Sequence, residues 1–194
     1  MKKIIKIIAV IVGLLLLGAG IYFYTPHISW QQKQEHTTAN STIKSFDPTR
    51  DLPAILEIFK KDWYWLIASE PEYSQEFVEY IFKNNRPNKD PRYLNKLITK
   101  VLYENDQLVG FTSYYMKNFF IGIILFVVVK PEFRGKGYAQ QLMKSAIEDL
   151  KQQGASLITL VTRTTNESAQ KLYKRLGFTA SYDQDGFVYF ELKV

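Results

Sequence analysis

The sequence predicts an α/β domain, built on a mixed central β-sheet that is flanked by helices and preceded by an N-terminal transmembrane helix. Three observations lead to this prediction. Residues 7–24 form an uncharged apolar stretch, residues 97–129 contain successive strand-like runs, and residues 126–150 have the pattern of strand, loop and helix. In the last of these, the β-branched run stops at Lys130-Pro131, and apolar side chains then recur at helical spacing.

The amino-acid composition excludes several classes of functional site and partner. The chain of 194 residues has room for one domain and a short additional segment. It contains no cysteine, which excludes disulfides, thiolate metal sites and a cysteine nucleophile. Its two histidines, His27 and His36, lie close together near the N-terminus, so no metal site is expected. The net charge is +6, but the basic residues do not form an arginine-rich stripe. No nucleic-acid partner is therefore predicted.

The N-terminal segment has the pattern of a membrane anchor. Basic residues in 1–6 precede the apolar residues 7–24, which as a helix would span about 27 Å, close to the ~30 Å hydrocarbon thickness of a bilayer. Residues 1–24 are therefore predicted to be a transmembrane helix or signal anchor, and the polar residues 25–41 a flexible linker. A cleaved signal peptide is the alternative, although the apolar run continues past the small residues 18–20.

Residues 42–194 are predicted to be the folded domain, with elements in the order β-α-α-β-β-β-α-β-α-β-β. The run 119–129 is apolar on both faces, which indicates a central buried strand. The predicted strands are Thr42–Phe46, Leu97–Glu104, Gln107–Met116, Phe119–Val129, Leu157–Thr162, Thr179–Tyr182 and Phe187–Lys193. The predicted helices run from an Asp51 cap to Leu66, over Tyr73–Lys83, from Tyr138 to Gln153, and from a Thr165 or Asn166 cap to a Gly177 stop.

The loop between the central strand and the next helix is suited to a pyrophosphate. Gly135 and Gly137 permit backbone turns that other residues resist, and they let a ligand approach closely. Arg134 and Lys136 add positive charge, and the helix that follows adds its N-terminal dipole. The loop matches neither a P-loop nor a dinucleotide fingerprint. The alternative is a plain basic turn before an amphipathic helix.

Two motifs in this order resemble those of the GNAT family (Gcn5-related N-acetyltransferases). Arg134, Gly137 and Ala139 match the R/Q-x-x-G-x-G/A motif that binds acetyl-CoA in the family. The pattern Asn166-x-x-Ala169-x-x-x-Tyr173-x-x-x-Gly177-Phe178 looks like the second cofactor helix of the family. The resemblance covers residues 42–194 and implies the GNAT fold, with acetyl-CoA as co-substrate and no metal.

The resemblance also implies roles for individual positions. The phosphates of coenzyme A would bind the loop of Arg134, Gly135, Lys136, Gly137, Tyr138 and Ala139, mainly through backbone N–H groups. The pantetheine arm would pair with the backbone of Phe126, Val127, Val128 and Val129 and contact Asn166. This pairing requires the two central strands, which end at Val129 and Thr162, to splay apart.

The chemistry implied is attack of an amine on the acetyl thioester in a ternary complex. An N–H near Val128 would stabilise the oxyanion, and the Tyr173 phenol would donate a proton to the leaving sulfur. Tyr173 fits a plain core position equally well. Ile121–Val129 contains no acidic residue where family members often place a general base, which leaves Glu70, Glu72 and Glu104 as distant candidates, or a water chain.

The predicted function is therefore acetyl transfer from acetyl-CoA to a primary amine, on a small molecule, a peptide or protein N-terminus, or a lysine. The alternatives are a non-catalytic CoA-binding or interaction module of the same fold, tethered to a membrane, and an enzyme that uses a different acyl donor. The acceptor would lie between the early helices and the last hairpin. The aromatic residues at 63–65 and 114–115 either line this acceptor site or belong to the core and its rim. The predicted localisation is a single-pass membrane protein. The lysine distribution favours the domain outside, and cofactor supply favours the cytoplasm.

Overall fold

The computed structural model describes residues 41–67, 72–90 and 95–194. The strands are β1 (Ser41–Ser45), β2 (Ile98–Glu104), β3 (Gln107–Met116), β4 (Ile121–Val129), β5 (Leu157–Arg163), β6 (Thr179–Gln184) and β7 (Phe187–Lys193). The helices are α1 (Pro48–Leu66), α2 (Gln75–Asn84), α3 (Tyr138–Gln152) and α4 (Glu167–Arg175), and a short 3-10 turn covers Pro131–Phe133. This is the element order that the sequence predicts.

The strands form one seven-stranded sheet in the order β1-β2-β3-β4-β5-β7-β6. β4 and β5 are parallel, whereas β2–β3, β3–β4, β5–β7 and β6–β7 are antiparallel pairs. The predicted α/β class with a mixed central sheet is therefore confirmed. β4 is the middle strand of the sheet, as expected for a run that is apolar on both faces.

Helices cover both faces of the sheet and divide the core into two main parts. On one face, α1 and α2 pack against β3 and β4, with Phe59 and Phe111 fully buried and Phe126 nearly so. On the other face, α3 packs against β3 and β4, and it shares a buried cluster with α4, β5 and β7 around Met143 and Phe190. β4 thus contributes to both parts, which fixes the position of the loop that follows it.

The start of α1 differs from the prediction. Asp47, rather than Asp51, is the N-cap, because its carboxylate accepts the backbone N–H groups of Thr49 and Arg50 at 2.9 and 3.0 Å. Asp51 lies in the first turn, where its fully buried carboxylate accepts from Asp47 N–H at 2.8 Å and from the Tyr103 hydroxyl. A carboxylate four residues into a helix can look like a cap in sequence while serving as a buried acceptor.

We correct the predicted localisation. Across the three described ranges, no helix combines the length and apolar character needed to cross a membrane. The apolar stretch 7–24, the basis of the predicted anchor, lies outside the described residues, as does the linker up to residue 40. The single-pass membrane localisation is therefore not supported, and we withdraw it without assigning a compartment. Ser41, at the end of the predicted linker, is the first residue of β1.

Candidate active site

The sheet opens between its two parallel strands. β4 and β5 pair only at Ile121↔Leu157, Gly122↔Ile158 and Ile123↔Thr159. Beyond these positions β4 still pairs with β3 and β5 still pairs with β7, up to Val129 and Arg163 respectively. Within the described sheet, residues 124–129 therefore have a strand on one side only. The splayed arrangement implied by the family resemblance is present.

A bulge marks the point where the strands separate. Ser113 pairs with Phe126 and Tyr114 pairs with Ile124, so Leu125 is an extra residue in β4. An extra residue bends a strand and increases its local twist. The bend coincides with the end of the β4–β5 pairing. The backbone of residues 126–129 is thereby left as an edge inside the sheet, which is the geometry needed to pair with an extended amide-bearing chain.

The loop that follows β4 is exposed and is fastened by its arginine. Gly135 and Gly137 have φ angles of 81° and 86°, in the region that favours glycine. A Cβ at Gly135 would have no atom within 4 Å, so this part of the loop is open. Arg134 donates from Nε to the Val129 carbonyl at 2.9 Å and from Nη2 to Asp62 Oδ2 at 3.1 Å.

The end of the loop is fixed by a second group of contacts. The buried Tyr138 donates its hydroxyl to Glu104, and burial, aided by this carboxylate, raises the pKa of Tyr138 to about 12. Lys136 Nζ lies 3.4 Å from Glu104 Oε2 and 5.1 Å from the centre of the Phe133 ring. The side chains of Lys136 and Tyr138 thus anchor the loop to β2 through Glu104.

The N-terminus of α3 is suited to an anion. Its N-cap is Gly137, which provides no side-chain hydrogen bond to the first turn. The first N–H groups of a helix have no partner within the helix, and together with the helix dipole they favour a phosphate. Ala139, in this first turn, is half-buried against the core. The predicted phosphate-binding residues 134–139 are therefore brought together at one helix end.

Tyr173 lies in the core on α4 and is 5% exposed. Its ring packs edge-on against Phe190, with centroids 5.5 Å apart, and it shares a buried cluster with Ile124 and Leu160. Ile124 and Leu160 are the first positions at which β4 and β5 no longer pair with each other. Burial raises the pKa of Tyr173 to about 12. A neutral phenol is therefore placed near the point where the two strands separate.

The hydroxyl of Tyr173 has no protein hydrogen-bond partner among the described residues, unlike the buried hydroxyls of Tyr103 and Tyr114. At the same time, no fully buried side-chain nitrogen or oxygen in the described part of the chain lacks a partner. It follows that the small exposed fraction of Tyr173 includes its hydroxyl oxygen. The phenol oxygen thus lies at the boundary of the core and has no protein acceptor among the described residues.

Asn166 has a structural task in addition to its predicted role. Its Oδ1 accepts the N–H of Ala169 at 3.2 Å, so it is the N-cap of α4. Of the two predicted caps, Thr165 and Asn166, the structure has Asn166. The cap fixes the start of the helix that carries Tyr173, and the side-chain amide is half-buried at that helix end.

The sequence-based candidates for a general base are not placed to act as one. Glu104 is bound to Tyr138 and Lys136, and the hydrogen bond from Tyr138 lowers its pKa. Glu72 is exposed before α2, and Glu70 lies outside the described residues. Among the predicted aromatics, Tyr114 is fully buried and bound to Asp149, whereas Tyr64 and Trp65 are exposed by 57% and 47%.

Two contacts of the site were not predicted. Asp62 binds Arg134 from 72 residues away, and Arg163 binds the backbone at the end of α1 from 99 residues away. Both acceptor groups lie on α1, where the sequence shows only an amphipathic stripe. No sequence signal identifies these pairs, because a single charged residue on a helix most often faces solvent.

Comparison with known proteins defines the class. A sequence profile of the acetyltransferase (GNAT) family matches residues 52–178. N-alpha-acetyltransferase 30 of Schizosaccharomyces pombe is 39% identical over 57 residues, which are 29% of this chain and 38% of that protein. The [ribosomal protein bS18]-alanine N-acetyltransferase of Haemophilus ducreyi is 34% identical over 92 residues, or 47% of this chain and 59% of that protein.

The fold is shared with solved structures. One is the PaiA N-acetyltransferase of Thermoplasma acidophilum, crystallised in complex with coenzyme A. It superposes with a TM-score of 0.62 at 19% identity, covering 79% of this chain and 99% of that one. At this level of identity the likeness shows the fold, including the mixed sheet described above.

The chain belongs to the acetyltransferase (GNAT) family, since the family profile spans more than half of it. The predicted family is thereby confirmed, and with it the enzyme class that the family name gives, an acetyltransferase. The first two relatives are matched over 38% and 59% of their lengths, so their substrates are not transferred to this chain. The roles of Tyr173, Asn166 and residues 126–129 and 134–139 stay predictions.

Proposed function

We propose that this chain transfers the acetyl group of acetyl-CoA to a primary amine by direct attack in a ternary complex. The observation that carries the proposal is the opening between β4 and β5 beyond Ile123 and Thr159. It leaves a free strand edge that ends at a glycine loop and a helix N-terminus. An extended amide chain with a pyrophosphate at one end fits this combination of edge and anion site.

In the proposed complex the phosphates of acetyl-CoA bind the backbone N–H groups of residues 134–139. The pantetheine arm pairs with the edge of residues 126–129, as an added strand would. Asn166 donates from its side-chain amide to the same arm. This arrangement puts the thioester near the apex of the opening, where Ile124, Leu160 and Tyr173 share one buried cluster.

The chemical step needs three contributions from the protein. Holding amine and thioester together lowers the barrier by several kcal/mol, because a bimolecular encounter becomes an event within one complex. A β4 backbone N–H beside the thioester stabilises the oxyanion that forms when the amine nitrogen bonds to the carbonyl carbon. The C–S bond then breaks, and Tyr173 gives its proton to the leaving thiolate and regains one from solvent.

The proton lost by the amine leaves through water in this proposal. β4 contains no acidic residue, Glu104 is bound to Tyr138 and Lys136, and Asp62 is paired with Arg134. Without a strong base, the enzyme depends on amines that are already neutral. At pH 7.4 about 30% of α-amino groups are neutral, compared with about 0.1% of lysine side chains.

We therefore propose an α-amino group, at the N-terminus of a peptide or protein, as the acceptor class. The names of the two relatives above, an N-alpha-acetyltransferase and an alanine N-acetyltransferase, support this choice. The physical support is independent of them, since it comes from the amine pKa and the missing carboxylate. A small-molecule amine with a pKa near 8 would satisfy the same requirement.

The test uses the full chain, acetyl-CoA and two peptides of matched sequence. One peptide has a free N-terminal alanine and no lysine, and the other has a blocked N-terminus and one lysine. We expect kcat/KM for the α-amine to exceed that for the lysine by about 300-fold, from the neutral fractions. Equal rates would contradict the acceptor class. Cofactor binding in a calorimeter without transfer to either peptide would favour the non-catalytic alternative.

A further inference from the structure

The last turn of α1 is set apart from the rest of the helix. Asp62 has φ and ψ of −109° and 19°, which interrupts the helical backbone and leaves residues 63–66 as a separate turn. Within this turn Trp63 is buried, whereas Tyr64 and Trp65 are exposed by 57% and 47%. Trp63 anchors the turn by packing edge-on against Phe59, Tyr73 and Phe77, and the exposed side of the turn has a further contact from outside α1.

Arg163 provides such a contact. It is the last residue of β5, and its Nε donates to the Tyr64 carbonyl at 2.8 Å, with Nη2 3.5 Å from the Ile67 carbonyl. Its guanidinium lies between two rings, 3.9 Å from the centre of Tyr64 and 4.9 Å from that of Phe187. One side chain thus joins the end of α1, the end of β5 and the start of β7.

The chemistry of this contact is specific to arginine. The last turn of α1 contains no basic residue, so Arg163 supplies the positive charge that favours a helix C-terminus. A guanidinium can stack on a ring with its face while its edge donates hydrogen bonds to carbonyls. A lysine ammonium has the charge but neither the flat face nor the fork of donors.

A second arginine holds the same turn from the other strand. Arg134, which follows β4, binds Asp62 at the kink, while Arg163, which ends β5, binds the carbonyls of Tyr64 and Ile67. β4 and β5 are the two strands that separate. The last turn of α1 is therefore tied to both sides of the opening.

We propose that Arg163 is a positioning residue for the acceptor. It holds the turn of residues 63–67 against the β5 side of the opening. The exposed edges of Tyr64 and Trp65 then form one wall of the acceptor subsite. Because Arg163 already covers one face of Tyr64, the ring is fixed before an acceptor arrives. This inference rests on the proposed acetyl transfer, since it assigns a role within that site.

The test compares the variants Arg163→Gln and Arg163→Lys with Arg175→Gln as the matched control, an exposed arginine on α4. With the N-terminal alanine peptide, Arg163→Gln should raise the acceptor KM about tenfold and leave the acetyl-CoA KM within about twofold. Arg163→Lys should fall between wild type and Arg163→Gln, because charge alone is restored. The control should behave as wild type in both constants.

Amide hydrogen exchange of the same full-length proteins separates this inference from the proposed function. Arg163→Gln should speed exchange at residues 63–67, where the Ile67 N–H bonds the Trp63 carbonyl, and leave β2 and β3 unchanged. Unchanged exchange, or an acceptor KM that matches the Arg175→Gln control, would overturn the positioning role. A wild-type protein that acetylates no amine would overturn the proposed function, whatever the exchange result.

Discussion

Arg134 Nη2 lies 3.1 Å from Asp62 Oδ2, which fastens the glycine loop behind β4 to the kink in α1. The same guanidinium donates to the Val129 carbonyl, so one side chain spans the end of the central strand and the helix above it. The loop is held by its arginine, while Gly135 stays open to a ligand. The arginine of the family motif thus acts here as a brace for the backbone that is proposed to bind phosphate.

Replacing Asp62 by Asn should weaken acetyl-CoA binding modestly. The ion pair is partly exposed, with 53% of the Arg134 side chain accessible, so it contributes at most about 1 kcal/mol, which corresponds to a two- to fivefold rise in Kd. Calorimetric titration of the full chain measures this change. Asp185→Asn, at the exposed tip of the last hairpin, is the control and should bind as wild type. An unchanged Kd for Asp62→Asn would mean that the Arg134–Asp62 ion pair does not support acetyl-CoA binding.

Replacing Tyr173 by Phe should lower kcat about a hundredfold and leave the acetyl-CoA KM within about twofold. The reason is that only the proton donor is removed, since the Tyr173 hydroxyl has no protein partner among the described residues. For the same reason the melting temperature should not fall. Steady-state kinetics and a thermal melt make the measurement, with Tyr182→Phe on the exposed β6 as control. Unchanged kcat would mean that Tyr173 is a core residue and not the proton donor.

The pH dependence of kcat should show no loss at moderately high pH. Burial raises the pKa of Tyr173 to about 12 from an ordinary value of 10.0, so the proton donor persists as the pH passes 10. With a saturating amine, kcat should rise with amine deprotonation and then stay level to about pH 10.5. A fall in kcat between pH 8 and 10 would contradict the assignment.

The same raised pKa has a consequence for stability. The unfolded phenol ionises near 10 and the folded one near 12, so Tyr173 stabilises the fold fully below pH 10 and loses this contribution as the pH rises towards 12. Thermal melts at pH 9 and pH 11 should therefore show a larger drop for wild type than for Tyr173→Phe. Equal drops would mean that the phenol titrates normally.

Much of the fold follows from local patterns in the sequence. The order of the elements, the central position of β4 and the exposed glycine loop all depend on periodicity and turn residues near one another in the chain. The boundary of α1 was predicted four residues late, because Asp47 and Asp51 are both credible caps and only the tertiary partner Tyr103 distinguishes them.

Candidate site residues can be named from the sequence only where a family motif marks them. Residues 134–139 and Tyr173 carry such a motif, whereas Asp62 and Arg163 act through partners that are distant in sequence. The opening between β4 and β5 coincides with an extra residue, Leu125, in a strand whose sequence is uniformly apolar. Apolar runs of this kind do not indicate where a bulge occurs, so its position emerges only from pairing with β3.

Substitution of Gly110 should disturb the strand that is proposed to hold the oxyanion donor. A Cβ at Gly110 would lie 2.5 Å from the Val128 carbonyl oxygen, a backbone atom that cannot move without shifting β4. We expect Gly110→Ala to destabilise the protein by about 1–3 kcal/mol and to lower kcat. Urea denaturation and kinetics provide the measurement.

Gly122→Ala is the matched control for this substitution. Its Cβ would meet the Leu150 side chain at 2.9 Å, and a leucine tip can rotate away at a lower cost. It should therefore be less destabilising than Gly110→Ala and leave kcat near the wild-type value. If the two variants behaved alike, close packing of β3 on Val128 would not be the cause of the effect.

The central claim is that the edge of β4 in the opening binds the arm of acetyl-CoA. Amide hydrogen exchange of the full chain with and without millimolar acetyl-CoA tests it most directly. The account predicts slower exchange at residues 126–129 and 134–139, because strand pairing and phosphate contacts protect those N–H groups, with little change in β2. Unchanged exchange at both stretches under a millimolar concentration of the cofactor would contradict it.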